Sequence, residues 1–305
     1  MKPACLAWGI ILIWIHILPL RVWADEPVPV VTTLPVLKDL VQQIGKTHVR
    51  VTSLLTGLEN EHSYSPRPSD LIAVRKARVL VQIGAGLEVW VDGLIRSAGN
   101  REMTIITAAD GVDLLDSHAH DPMPRFLPTV HGHVTGNPHI WLDPYNLVPA
   151  LSRITETLSR LDPTHASEYS RNHAAYLEEL RRLTAELIEQ LDTLQDRRII
   201  THHPAWPYFA RRFQFRVVGE IQTQSGAEPS PRHMQALIQQ IRRDHIRVIV
   251  SEPQLSQRLP RLLAQEAGAR VVLLTPLPGG IPGTDTYLDM LRYNVLQLLR
   301  AFDGA

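Results

Sequence analysis

Residues 164–195 read THASEYSRNHAAYLEELRRLTAELIEQLDTLQ, and this stretch decides the fold. Tyr169, His173, Tyr176, Leu180, Leu183, Leu187, Leu191 and Leu194 recur at intervals of three and four, which places them on one face of a helix. Neither Gly nor Pro interrupts the run, so the spacing predicts one helix of roughly 30 residues, about 45 Å long at 1.5 Å per residue. The heptad-like pattern covers this segment alone, which argues against a coiled coil and for a stiff strut between two lobes. Asp162-Pro163 closes the preceding helix, expected over 146–161.

Outward from the strut, strands and helices alternate on both sides. On the N-terminal side, strands are expected at 28–33, 49–54, 79–83 and 104–107, with helices at 36–44, 70–77 (Ser69 as its cap) and 87–97. On the C-terminal side, strands at 198–201, 217–221, 248–251 and 271–274 alternate with helices at 205–213, 231–244, 259–267 and 286–299. Such alternation predicts parallel sheets covered by helices on both faces. The fold class is therefore α/β: two lobes of parallel sheet joined by one long backbone helix, with a cleft between them. The expected divisions are a signal peptide at 1–24, an N-terminal lobe at 25–145 carrying a His-containing loop at 114–138, connecting helices at 146–196, and a C-terminal lobe at 197–305.

The first residues set the compartment. Lys2 precedes an apolar run from Leu6 to Leu20, and Val22-Trp23-Ala24 supplies small residues where a signal peptidase reads, so export with cleavage after Ala24 is expected. The run of about 15 residues is short for a spanning helix. Cys5, the single cysteine, falls inside this segment. Without thiols, a metal site in the mature chain must use histidine and carboxylate. Zero formal net charge and 6% aromatic residues give no electrostatic case for nucleic acid.

The histidines are distributed unevenly. Gly136-Asn137-Pro138-His139-Ile140-Trp141-Leu142-Asp143-Pro144 pins His139 between two prolines that stiffen the backbone. Ahead of it, His118, His120, His131 and His133 lie in an aperiodic segment of the kind that is usually functional or mobile. Ligands in open α/β sheets gather beyond the carboxyl ends of strands. His62 follows the second strand, His203 the fifth, and Asp285 closes the loop after the eighth. Three imidazoles and one carboxylate form a four-ligand set of borderline hardness that favours Zn2+ over Mn2+. Gly84-Ala85-Gly86 has Val89 where a dinucleotide fingerprint needs a third glycine, so nucleotide binding is not expected. His165, His173, His233 and His245 fall in helices and are expected to be surface or packing residues.

At 57–70, 84–90, 137–144, 203–209, 228–230 and 284–294 the chain resembles the metal-binding proteins of zinc and manganese ABC transporters, specifically their zinc branch. The resemblance covers nearly the whole mature chain. It implies a two-lobed, non-catalytic periplasmic protein, expected to be monomeric, that captures zinc in its cleft and delivers it to a membrane permease. Residue by residue, it places the ligand histidines on His62, His139 and His203 and the carboxylate on Asp285. Two alternatives stay open. Pro204 stands where the family more often has an acidic residue, which keeps His202 as a rival to His203, although the spacing to Ala205, Tyr208 and Phe209 favours His203. In some zinc-branch members a carboxylate beside the first histidine, or a water, completes the shell, which makes Glu61 a rival to Asp285. Other functions compatible with the sequence are a manganese- or iron-binding member of the same family, a metal-dependent adhesin and a secreted zinc hydrolase. The hydrolase would need an open coordination position and a base; no His-Glu-x-x-His motif is present.

Overall fold

The computed structural model describes residues 26–116, 136–223 and 226–303. The segment expected to be a signal peptide and the histidines at 118, 120, 131 and 133 therefore lie outside the described residues. The N-terminal lobe is built from β1 (Val28–Thr32), α1 (Pro35–Gly45), β2 (Val49–Ser53), α2 (Pro68–Lys76), β3 (Val79–Gln82), α3 (Val91–Ala98) and β4 (Thr104–Thr107). Then come α4 (Val148–Leu161) and α5 (Ala166–Leu191). The second lobe comprises β5 (Arg198–Thr201), α6 (Pro207–Phe213), β6 (Arg216–Glu220), α7 (Pro231–Asp244), β7 (Val248–Ser251), α8 (Arg258–Ala267), β8 (Arg270–Leu273) and α9 (Tyr287–Asp303). Each lobe holds a four-stranded, all-parallel sheet, ordered β2-β1-β3-β4 and β6-β5-β7-β8. The order reverses between β1 and β3 and again between β5 and β7, so each sheet opens a crevice at the carboxyl ends of those strands.

Local chemistry explains the boundaries. Pro35, Pro68, Pro207 and Pro231 each open a helix at its first turn, where the missing N–H costs no hydrogen bond. The start of α2 differs from expectation. Ser69 does not cap it; the chain enters at Arg67, whose backbone N–H donates to the Asp70 carboxylate at 2.7 Å. α3 also starts later than the periodicity suggests, because residues 84–88 fold as a turn around Glu88. That carboxylate accepts the Ile83 and Gly84 N–H groups (2.8 and 2.9 Å) and the Thr33 hydroxyl (2.6 Å).

α5 has 26 residues, shorter than the sequence pattern at both ends. Pro163–His165 makes a separate 3-10 turn ahead of it, and the helix stops at Leu191. Its stripe of Tyr169, Tyr176, Leu180, Leu183, Leu187 and Leu191 is buried, and the helix packs on its neighbour α4, on α1 of the first lobe and on α6 and α9 of the second. One continuous apolar core runs through it, from Leu37 and Leu40 to Phe209, Phe213 and Leu298. A smaller core under α7 and α8 belongs to the second lobe alone. No helix among the described residues is long and apolar enough to cross a membrane.

Three further ties join the lobes beside the cleft. Trp141, fully buried, donates its indole N–H to the Pro276 carbonyl at 2.6 Å, and the Tyr287 hydroxyl donates to the Trp141 carbonyl. Asp143 is gripped by Arg212 (2.7 and 3.0 Å) and, more loosely, by Arg211 (3.3 Å) of α6. The third tie is steric. Gly57 has φ of 103°, and a Cβ there would lie 2.2 Å from the Pro278 carbonyl oxygen, while its own carbonyl accepts Gln254 Nε2.

Candidate metal centre

The crevice collects four side chains from three separate segments. His62 and Glu61 come from the loop after β2, His139 from the proline-bounded turn, and His203 from the end of β5. One ligand-type atom from each of these four lies within 4.8 Å of the others. The ring centroids of His62–His139, His139–His203 and His62–His203 are 5.1, 5.2 and 6.1 Å apart. Glu61, His139 and His203 are buried, with His62 partly exposed at the mouth.

Hydrogen bonds behind the rings decide which nitrogen faces inward. Asn137 donates from Nδ2 to the Pro204 carbonyl (2.6 Å), which turns its Oδ1 toward His139. That oxygen accepts both the backbone N–H and Nδ1 of His139, at 3.0 and 2.9 Å. His139 Nδ1 therefore carries the hydrogen and Nε2 presents a lone pair. His203 is oriented the same way: Nδ1 lies 2.6 Å from Glu252 Oε2, while Trp206 Nε1 donates to Glu252 Oε1 at 2.5 Å. A carboxylate or amide behind a ligating imidazole fixes its tautomer and raises its basicity. Neither Glu252 nor the role of Asn137 is foreseen by the sequence reading. The available signal for Glu252 is its place immediately after β7, at the point where the strand order reverses.

Electrostatics separate the three rings. His62 is pushed down to about 4, first by burial and then by neighbouring His139. His139 lies well below the ordinary imidazole value, again through burial and then His203. His203 goes the other way. Burial opposes its charge, but the Glu252 carboxylate and its hydrogen bond, followed by Glu61, outweigh that and raise it.

The arrangement suits a cation. His62 Nε2 and His139 Nε2 approach to 3.1 Å, and two lone pairs at that distance need a proton or a metal ion between them. Glu61 Oε1 is buried without a hydrogen-bond donor, 3.6 Å from His139 Nε2. An unpaired buried carboxylate oxygen costs several kcal/mol, a cost that a bound cation removes. Two buried carboxylates, Glu61 and Glu252, also match the charge of a divalent ion.

Asp285 does not join this group. It is exposed, while its neighbour Thr284 is fully buried and donates its hydroxyl to the Ile281 carbonyl, closing the loop before α9. The carboxylate beside the three imidazoles is that of Glu61. His202 also stays apart, its Nδ1 3.0 Å from the Ser251 hydroxyl. His233 lies 2.8 Å from the Glu220 carbonyl, and His245 forms the left-handed cap of α7.

This architecture has known counterparts. A solved structure of a zinc-bound ZnuA carrying a 138–173 deletion superposes with a TM-score of 0.77 at 31% identity, covering 91% of this chain and 98% of the other. The zinc-binding protein AdcA of Streptococcus pyogenes (serotype M6) is 24% identical over 298 residues; 93% of this chain matches 58% of AdcA's length. The iron-binding protein YfeA of Yersinia pestis is 27% identical over 280 residues, 90% of this chain and 86% of YfeA. Residues 30–301 match the family described as ZnuA, zinc-uptake complex component A, periplasmic, and the chain belongs to that family.

Proposed function

We propose that the metal carried by this solute-binding protein is zinc, captured by His62, His139, His203 and Glu61, and handed to the permease of an ABC transporter on the outer side of the membrane. The observation that carries this reading is the donor set: three imidazoles, two of them locked with Nε2 inward, and a single carboxylate oxygen without another partner. Zn2+ favours such a nitrogen-rich tetrahedral shell, whereas Mn2+ favours more oxygen donors. Export through the N-terminal segment read as a signal peptide fits delivery outside the cytoplasm. The test is elemental analysis of the protein purified from its own periplasm without added metal, alongside zinc uptake in cells lacking the gene. One zinc per chain and restored uptake are expected. Stoichiometric iron or manganese in place of zinc would overturn the choice of metal, and unchanged zinc uptake without the protein would overturn the transport role.

A further inference from the structure

A second group of metal-ligating side chains stands apart from the cleft, on segments that contribute nothing to it. His48 ends the 3-10 turn after α1, Asp162 ends α4, and His165 precedes α5. One ligand-type atom from each lies within 4.8 Å of the other two. The two imidazoles stack face to face, their centroids 3.7 Å apart and their planes 21° from parallel. Each ring also meets a carboxylate: His48 Nε2 lies 3.1 Å from Glu168 Oε2, and His165 Nδ1 lies 2.7 Å from Asp162 Oδ2. Tyr169 fixes Asp162 by donating its hydroxyl to the same Oδ2 at 2.5 Å. These side chains are partly buried, with 24% of His48, 24% of His165 and 12% of Asp162 exposed.

Two explanations compete for this arrangement. As hydrogen bonds alone, each neutral imidazole donates one N–H to its carboxylate and keeps a lone pair on its other ring nitrogen. As a cation site, it keeps both rings neutral and lets one divalent ion answer two carboxylates. Metal–ligand bonds of about 2.1 Å put tetrahedral donors about 3.4 Å apart, so on binding the 2.7 Å His165–Asp162 contact opens and one ring tilts out of the stack to bring both lone pairs to the ion. Two imidazoles and a carboxylate form a set suited to zinc and its transition-metal neighbours rather than to Ca2+ or Mg2+.

We propose that His48, His165 and Asp162 form a second, solvent-facing site for a divalent transition metal, with Glu168 holding His48 in place. With three protein ligands and an exposed fourth position, it binds more weakly than the cleft. Its evidence is independent of the cleft assignment.

Calorimetric titration with Zn2+ tests this on the full mature chain in which His118, His120, His131 and His133 are replaced by Gln, so that loop histidines contribute nothing. The expected result is two zinc ions per chain, one tight and one weak. Adding His48→Gln and His165→Gln should remove the weak event and leave the tight constant unchanged, which also reports that the variant is folded. His62→Ala should do the reverse. Glu168→Gln should weaken the second event by about tenfold, the usual cost of losing an outer partner of a ligating histidine. A single zinc per chain before His48 and His165 are replaced, or two that survive their replacement, would overturn the second site. Loss of the tight event alone in the His62 variant separates the fate of the cleft from that of this site.

Discussion

The buried carboxylate behind His203 offers a quantitative test of how the cleft holds its metal. Glu252 is fully buried and accepts from His203 Nδ1 and Trp206 Nε1. Glu252→Gln keeps the shape and removes the charge that raises His203 against the pull of burial. Three imidazole ligands all at the ordinary pKa of about 6.5 would give a very steep loss of zinc below pH 7. The geometry predicts otherwise. His62, at about 4, and His139, lower than ordinary, are already neutral through that range. Only His203 holds its proton to a pH above the usual value, and that proton must leave for the metal to bind. Apparent affinity should therefore rise with pH until His203 is neutral. Below that point it should fall about tenfold per unit, one proton exchanged per zinc, and steepen only as pH nears 4. In Glu252→Gln the His203 proton leaves at lower pH, so the slope between pH 5 and 7 should flatten. Affinity at pH 7.5 should drop about 10- to 100-fold through loss of the outer partner. Competition against a calibrated chelator from pH 5 to 8 measures both quantities. A wild-type slope of two or three decades per unit would refute the assignment of His203 as the single titrating ligand. A variant with wild-type affinity and slope would refute the role of Glu252.

Other outcomes follow from the same geometry. His62→Ala, His139→Ala and His203→Ala should each weaken zinc binding far more than His233→Ala or His245→Ala, and Glu61→Ala more than Asp285→Ala; parity in chelator competition at either comparison would sink the ligand set. Gly57→Ala introduces a Cβ 2.2 Å from the Pro278 carbonyl at a φ of 103°, so it should cost about 1–3 kcal/mol of stability and loosen zinc by displacing the His62 loop. A melt and a binding constant indistinguishable from wild type would show that the lobes are not locked there. Deleting residues 117–133 should leave the tight site intact, because Asn137 N–H donates to the Leu115 carbonyl at 2.7 Å and Leu115 N–H to the Tyr208 hydroxyl at 2.9 Å, which hold the two ends of the segment together. Loss of the tight event in calorimetry would assign the deleted histidines to it.

How much of this was legible in the chain depends on whether the cause is local. Strand and helix positions come from periodicity and proline placement, and they agree with the structure to within a few residues. His139 announces itself through its two prolines, and His62 and His203 through following strands in an alternating pattern. The choice between Glu61 and Asp285 has no local cause, because both sit in polar loops at plausible places. What separates them is the loop after β8, where Thr284 turns inward to bond Ile281 and leaves Asp285 facing solvent. The choice between adjacent His202 and His203 is likewise made from a distance, by Ser251 and Glu252 across the sheet from β5. Strand order is equally silent in the sequence, although it is what brings the ends of β5 and β7 together and sets Glu252 behind His203. Ligand type can thus be read from residues and their spacing. Which imidazole nitrogen faces the metal, and which ring carries a proton into the reaction with it, is decided by Asn137 and Glu252, partners that only the folded topology brings to the site.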